Sequence, residues 1–268
     1  MEQLPDWVPE GIEVTVPNAA RMYDFALGGY HNFAVDREFF EQIEAAAPGS
    51  TVIAHANRAF VGRSVRWLVD AGIRQFLDIG SGIPTLGNVH EVAQAAAPES
   101  KVVYVDIDPI AVAHGKAILA GNTQAVSLEA DLRKPADILY HEDVVRLLDF
   151  GQPVAVLLNC VLHFVPDDAD PESILEEIKE AMVSGSYLAL THGTEMDDRP
   201  GEAEAVIKLY QRTPTAVVGR SPERIRNFLT GMELVEPGIV PVNNWRPDPE
   251  AQQDIVAPSI LAAVGRKS

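Results

Sequence analysis

The sequence predicts an α/β fold, a mostly parallel sheet with helices on both faces and a helical N-terminal cap. Three observations predict it. From about residue 73 onward, short apolar runs alternate with helix-length amphipathic stretches. Those apolar runs are continuous, as in strands buried on both faces. Residues 73–109 also form one βαβ unit: strand, glycine turn, helix, second strand and a terminal acid.

The elements follow in order. Residues 1–17, rich in Pro and acid, read as an extended lead-in. Ala19, Met22, Tyr23, Ala26 and Leu27 lie at helical spacing, and Gly28-Gly29 stops that helix. A polar and aromatic loop, YHNFAVD (30–36), leads to Asp36, which is expected to cap a second helix through Phe39, Phe40 and Ile43. Ser50 or Thr51 is expected to cap a third, with Ile53, Phe60, Val65, Leu68 and Val69 inward. Residues 1–72 are thus a cap belonging to the same domain as 73–268.

Strands are expected at 75–79, 101–106, 124–130, 153–160 and 185–191. Helices are expected at 84–97, 109–120, 136–149, 171–183 and 201–212, with Pro84 in a first helical turn. Ser221 and Pro222 open a further helix. The last apolar runs, 232–240 and 259–265, flank a loop containing Trp245 and read as an added pair of strands at one sheet edge.

Composition narrows the function. Hydrophobic residues make up 47% of the 268, enough for a sizeable core, and the net charge is -18. Such a surface repels nucleic acid and anionic membranes, so the expected partner is a small molecule, with no nucleic acid and no membrane. No stretch resembles a secretory signal or a bilayer span, so a cytoplasmic location is expected. Cys160 is the single cysteine, which excludes an intramolecular disulfide and a multi-cysteine zinc site. It reads as a buried small hydrophobe. His90-Glu91 lacks the second histidine of a zinc helix, Gln94 standing there, so no metal is expected.

The glycine turn Gly80-Ser81-Gly82 suits either a dinucleotide or S-adenosylmethionine (SAM). The dinucleotide fingerprint wants a third glycine where Thr85 stands. Asp78, at the end of the first strand, would repel a pyrophosphate but suits an ammonium and a sulfonium. Asp106, ending the second strand, can accept from both ribose hydroxyls, and Asp131, ending the third, from an adenine amine. The plain alternative is that each acid caps a following helix. A nicotinamide-dependent oxidoreductase would also use Asp106, but Asp78 and Thr85 argue against it.

At this point LDIGSG, VVYVDIDP, EADLRKP and VLLNCVLHF resemble the class I SAM-dependent methyltransferases. The pieces NAARMYDFALGGYHNFAVDRE, NRAF, VLHFVPD, GSYLALTHGT and GMELVEPG resemble one actinobacterial family of them, formerly a domain of unknown function. The resemblance implies a Rossmann-like, seven-stranded sheet with the last strand antiparallel, and SAM at the first βα turn. It places Asp78, Gly80, Ser81 and Gly82 on the glycine motif and Asp106 on the ribose. Ile107 falls beside the adenine, Asp131 and Leu132 at its edge, and Asn159 near the methionine part. It names no acceptor.

Methyl transfer from an activated sulfonium depends largely on alignment, and a base is needed only if the acceptor must lose a proton early. The candidate bases are His163, His192, His31 and Tyr30, with His163, after the fourth strand, foremost. His192 is expected to be structural, and His114 and His141 to lie on helix surfaces. Arg21, Tyr23, Tyr30, His31 and Asn32 beside the Gly-Gly hinge suggest a lid or substrate contact. The leading expectation is methyl transfer to a small-molecule O or N acceptor. A SAM-binding sensor or partner module without catalysis is the alternative.

Overall fold

A computed structural model describes residues 13–84, 87–194, 200–213, 215–248 and 260–268. Thr85, Ser259, the lead-in up to residue 12 and part of the loop after Trp245 therefore lie outside the described residues.

Five parallel strands form the body of the sheet: β1 (Gln75–Ile79), β2 (Lys101–Asp106), β3 (Ala125–Glu129), β4 (Ala155–Asn159) and β5 (Tyr187–Gly193). Three more complete it: β6 (Glu233–Leu234), β7 (Val240–Pro241) and β8 (Ile260–Arg266). The order is β3-β2-β1-β4-β5-β8-β6, with β7 also on β8. β8 runs antiparallel to β5, and the two short strands share its other edge. The expected last pair is present, but β8 inserts between β5 and the short strands. The sheet is seven positions wide, the last position being split between β6 and β7.

Before the sheet come α1 (Ala19–Ala26), α2 (Ala34–Ala46) and α3 (Ser50–Asp70). Within it come α4 (Val89–Ala96), α5 (Pro109–Ile118), α6 (Pro135–Leu139), α7 (Glu142–Leu147), α8 (Pro171–Ala181), α9 (Pro200–Tyr210) and α10 (Pro222–Asn227). One face of the sheet buries Phe76, Val102 and Leu157 against Phe60, Val65 and Leu68 of α3, with Trp245 beneath. The other buries Leu77, Val103, Val156 and Leu188 against Ile138, Val144, Leu175 and Phe228 from α6, α7, α8 and the end of α10. A third cluster joins α1 and α2 to α9 through Met22, Phe39 and Ile43 with Val206, Leu209 and Tyr210.

Several element starts differ from expectation. Helix α4 begins at Val89, because Asn88 and Glu91 form a capping box, the Asn88 N–H donating to Glu91 Oε2 at 2.8 Å. Pro84 stays outside any helix, since Gly80 and Ser81 N–H groups donate to Val105 and hold the turn against β2. Asp36 is the third residue of α2, not its cap. Its carboxylate accepts from Phe33 N–H and from Asn18 N–H, both at 2.9 Å, so it ties two helix starts together. Gly49 caps α3, and Glu44 accepts from Gly49 and Thr51 N–H groups at 2.7 and 2.8 Å. The stretch expected as one helix at 136–149 is two, because extended His141 caps α7 with its own ring.

Candidate functional site

Side chains alternate along a strand, so residues two apart share a face. Phe76, Tyr104, Leu157 and Ala189 all belong to the core beneath α3. Two residues further on, at the carboxyl ends, stand Asp78, Asp106, Asn159 and Thr191. Four adjacent strands therefore deliver four polar side chains to one crevice on one face. Its floor is the turn after β1. Gly80 has φ +73, and a Cβ there would lie 2.3 Å from Val161 Cγ2. Gly82 has φ +66 with nothing within 4 Å of its added Cβ. Its N–H donates to Asp106 Oδ2 at 2.7 Å, while Asp108 N–H donates to Oδ1 at 2.8 Å.

Burial raises both acids. Asp78 is pushed up to about 7, chiefly by loss of water, with Arg58 opposing and Asp106 adding. Asp106 is pushed up to about 6 by burial, against the backbone donors of Asp108, Gly82 and Ile107. Both amide atoms of Asn159 are buried and have no hydrogen-bond partner among the described residues. A native fold rarely tolerates that unless a ligand or water completes the group.

Above the crevice α1 and α3 supply Tyr23, Asn57 and Arg58. The Tyr23 hydroxyl donates to Ala54 O at 3.0 Å and accepts from Asn57 Nδ2 at 2.8 Å. Asn57 Oδ1 accepts from Thr191 at 2.6 Å, which ties α3 to β5. Burial holds the Tyr23 phenol up at about 12. The Arg58 guanidinium lies 5.7 Å from the Tyr23 ring centroid. A cavity here is lined by Arg58, Asp78, Ser81, Gly82, Asn88 and Tyr104.

A family model of S-adenosyl methyltransferases matches residues 5–268. The chain belongs to that family. It is similar to a candidate methyltransferase from Thermobifida fusca, at 38% identity over 98% of this chain and 100% of that one, with a TM-score of 0.92. It is equally similar to a DUF574 family protein from Streptomyces avermitilis: 38% identity, 95% and 99% covered, TM-score 0.91. An O-methyltransferase family protein from Burkholderia thailandensis shares the fold alone: 15% identity, 85% and 63% covered, TM-score 0.51. None of the curated proteins matches.

The cofactor of this family is SAM. The site suits it. The turn brings backbone close, two acids face a crevice, and the Asn159 amide and Arg58 Nε are buried without hydrogen-bond partners among the described residues. Ile107, 56% exposed, stands beside Asp106 as an apolar surface. Leu132 is buried in the core under α6. Asp131 lies two residues beyond the end of β3, not at it. Burial works to raise its carboxyl, but Arg133, bonded at 2.6 to 2.9 Å, outweighs this and holds it low.

Of the cap residues, Tyr23 is tied to Asn57 and Ala54 beside the crevice. Arg21 is buried against Asp36 at 3.4 Å and over the Phe33 ring. Asn32 donates to Asp24 at 2.8 Å and to Gly29 O at 3.0 Å. Asp24 also accepts from His31 N–H at 2.8 Å, so it organises the whole Gly-Gly loop. The His31 ring lies tilted against His114 with centroids 3.7 Å apart. His114 is thus buried, against the expectation of a helix surface, and its imidazole is pushed down to about 4 by burial and by His31. Tyr30 is 89% exposed.

His163 sits in a 3-10 turn (Leu162–Phe164), packed on Phe164 at 4.3 Å and His192 at 5.7 Å. Burial, then His192 and Arg220, pushes it down to about 3. His192 bonds Gly193 O and Arg220, as a structural residue does. Arg220, buried, donates to Leu162 O at 2.8 Å and Val165 O at 2.7 Å and so fixes the loop after β4. Cys160, at φ +53, has its thiol pushed up to about 11 by burial.

Asp24 and Arg220 were not singled out by sequence reasoning, and Asn57 and Arg58 entered it only within the NRAF piece, with no role assigned. For Asn57 a signal existed: it lies three residues before Phe60 and eight before Val65, on the inward stripe of α3, where a polar residue is out of place.

Among the described residues no group of three or more His, Cys, Asp or Glu is placed to hold a metal. No helix among them is long and apolar enough to cross a membrane.

Proposed function

We propose that the chain is an active SAM-dependent methyltransferase acting on an O or N atom of a small molecule. The observation that carries this reading is the row Asp106, Asp78 and Asn159 around the glycine turn, with an amide that has no partner of its own. When bound, SAM supplies a methyl group on a sulfonium, which an acceptor heteroatom displaces in line to leave S-adenosylhomocysteine.

The residues divide the cofactor between them. Asp106 takes the ribose hydroxyls, keeping Gly82 N–H as its inner partner. Asp78 and Asn159 face the amino-acid end. Ile107 covers one side of the adenine, and Asp131 with Leu132 forms its edge. Ser81 and Gly82 lie along the tail. The cap is proposed as α1, α2 and α9, because α3 packs as a layer of the sheet itself. That cap excludes water and presents Tyr23 to the crevice. His163 is assigned a supporting place beneath the methyl end. A group pushed down to about 3 is a weak proton acceptor, and transfer then rests on alignment. The charge of -18 supports a small acceptor over nucleic acid.

Calorimetry with S-adenosylhomocysteine on wild type and Asp106→Ala tests the site: tight binding lost in the variant is expected. Release of S-adenosylhomocysteine from SAM with pooled phenols, alcohols and amines tests catalysis. Binding without any acceptor-dependent release would favour the non-catalytic module.

A further inference from the structure

Two opposite charges share the cavity at the end of β1 without meeting. The Asp78 carboxylate is buried and accepts no hydrogen bond from the described residues. Arg58 lines the same cavity, and its charge is felt at Asp78, Tyr104 and Cys160. Yet among the described residues neither takes part in an ion pair, and Arg58 Nε is buried without a hydrogen-bond partner. Arg58 is half-buried and Asp78 buried, and a buried carboxylate ordinarily takes a partner, because left alone it carries its full desolvation cost. Held apart across a cavity, they complement a ligand that carries both charges itself.

The guanidinium is also held in place. It lies against the face of Tyr23, whose hydroxyl is fixed by Ala54 and Asn57. Its stem is on α3, whose next two turns are locked in the core by Phe60, Val61 and Val65. A planar donor positioned in advance is what recognition of a carboxylate requires.

We propose that Arg58 anchors the α-carboxylate of the cofactor's amino-acid tail, opposite Asp78, which receives the ammonium. The proposal rests on the cofactor reading above and adds a specificity to it. The site selects nucleosides that carry an intact amino acid over those that keep the sulfur but lack the carboxylate.

The test compares three ligands by calorimetry: S-adenosylhomocysteine, its decarboxylated analogue S-adenosyl-3-thiopropylamine, and 5′-methylthioadenosine, which has neither charge. Wild type is expected to prefer S-adenosylhomocysteine over the decarboxylated analogue by about 10- to 100-fold, the span of a charge-assisted hydrogen bond. Arg58→Gln removes most of that preference and leaves 5′-methylthioadenosine affinity unchanged. Arg58→Lys restores part of it. Equal weakening of all three ligands in Arg58→Gln would assign the residue a structural role and overturn the proposal. Equal wild-type affinity for the two charged ligands overturns it without any variant, should Arg58→Gln fail to fold. Wild type that binds none of the three instead fails the cofactor reading.

Discussion

Replacing Gly80 by Ala tests whether the turn after β1 is built for close approach. Two costs add. At φ +73 a side chain enters the left-handed region, at about 1–2 kcal/mol. The new Cβ would also stand 2.3 Å from Val161 Cγ2 and 2.6 Å from its Cβ, so the loop after β4 must shift. Overpacking of this kind costs about 1–3 kcal/mol. Gly80→Ala is therefore expected to lose about 2–5 kcal/mol. Gly82→Ala, with φ +66 and open space around it, is expected to lose only the first part, about 1–2 kcal/mol. Urea titration of the ligand-free variants reads the difference. Combining Gly80→Ala with Val161→Gly, which removes both crowding carbons, should recover much of the steric part as coupling between the two sites. A Gly80 variant as stable as the Gly82 variant, or a double variant with purely additive losses, would refute the reasoning.

Asp78→Asn should change the pH dependence of the ligand-free protein. The folded carboxyl is raised to about 7, so its contribution is present at low pH and lost as pH rises toward that value. The Asn variant is then more stable than wild type at pH 8 and equal near pH 4 by thermal melting; a constant gap would count against the burial argument. Asn159→Leu should stabilise the ligand-free fold by about 1–3 kcal/mol while weakening S-adenosylhomocysteine binding, because it removes an uncompensated buried amide. A net loss in urea would mean that the amide is satisfied after all. Arg63 donates to Trp245 O at 3.0 Å and Val242 O at 2.8 Å. Arg63→Met strands both carbonyls, and a loss of about 2–4 kcal/mol with red-shifted tryptophan emission is expected; unchanged emission would show the loop held by other contacts.

The strands were legible because each is a continuous apolar run, and the acids Asp78 and Asp106 because they end such runs. Helix starts were harder. Pro84 marks only a permitted φ, whereas Asn88 with Glu91 supplies bonds, and bonds decide. Asp36 and Glu44 cap at a distance, one between two helices and one across a turn, and spacing alone does not reveal that. β6 and β7 are two residues each, too short for a period. Their place beside β8 depends on tertiary packing. Arg58 stands within NRAF, but its role was not legible because a cation on a helix ordinarily reads as solvated; its meaning comes from Asp78, twenty residues on and on a different element. His114 likewise reads as surface until the loop bearing His31 folds onto it.

The placement of β8 bears on how the chain comes to be made. Each strand through β5 can join the growing sheet as it is synthesised, but β5 keeps one bare hydrogen-bonding edge until residues 260–266 exist. That edge follows a run buried on both faces, Leu188, Ala189 and Leu190, and an open apolar edge invites pairing with a neighbouring chain. A nascent chain halted before residue 260 is accordingly a sticky intermediate, and one that reaches β8 seals itself.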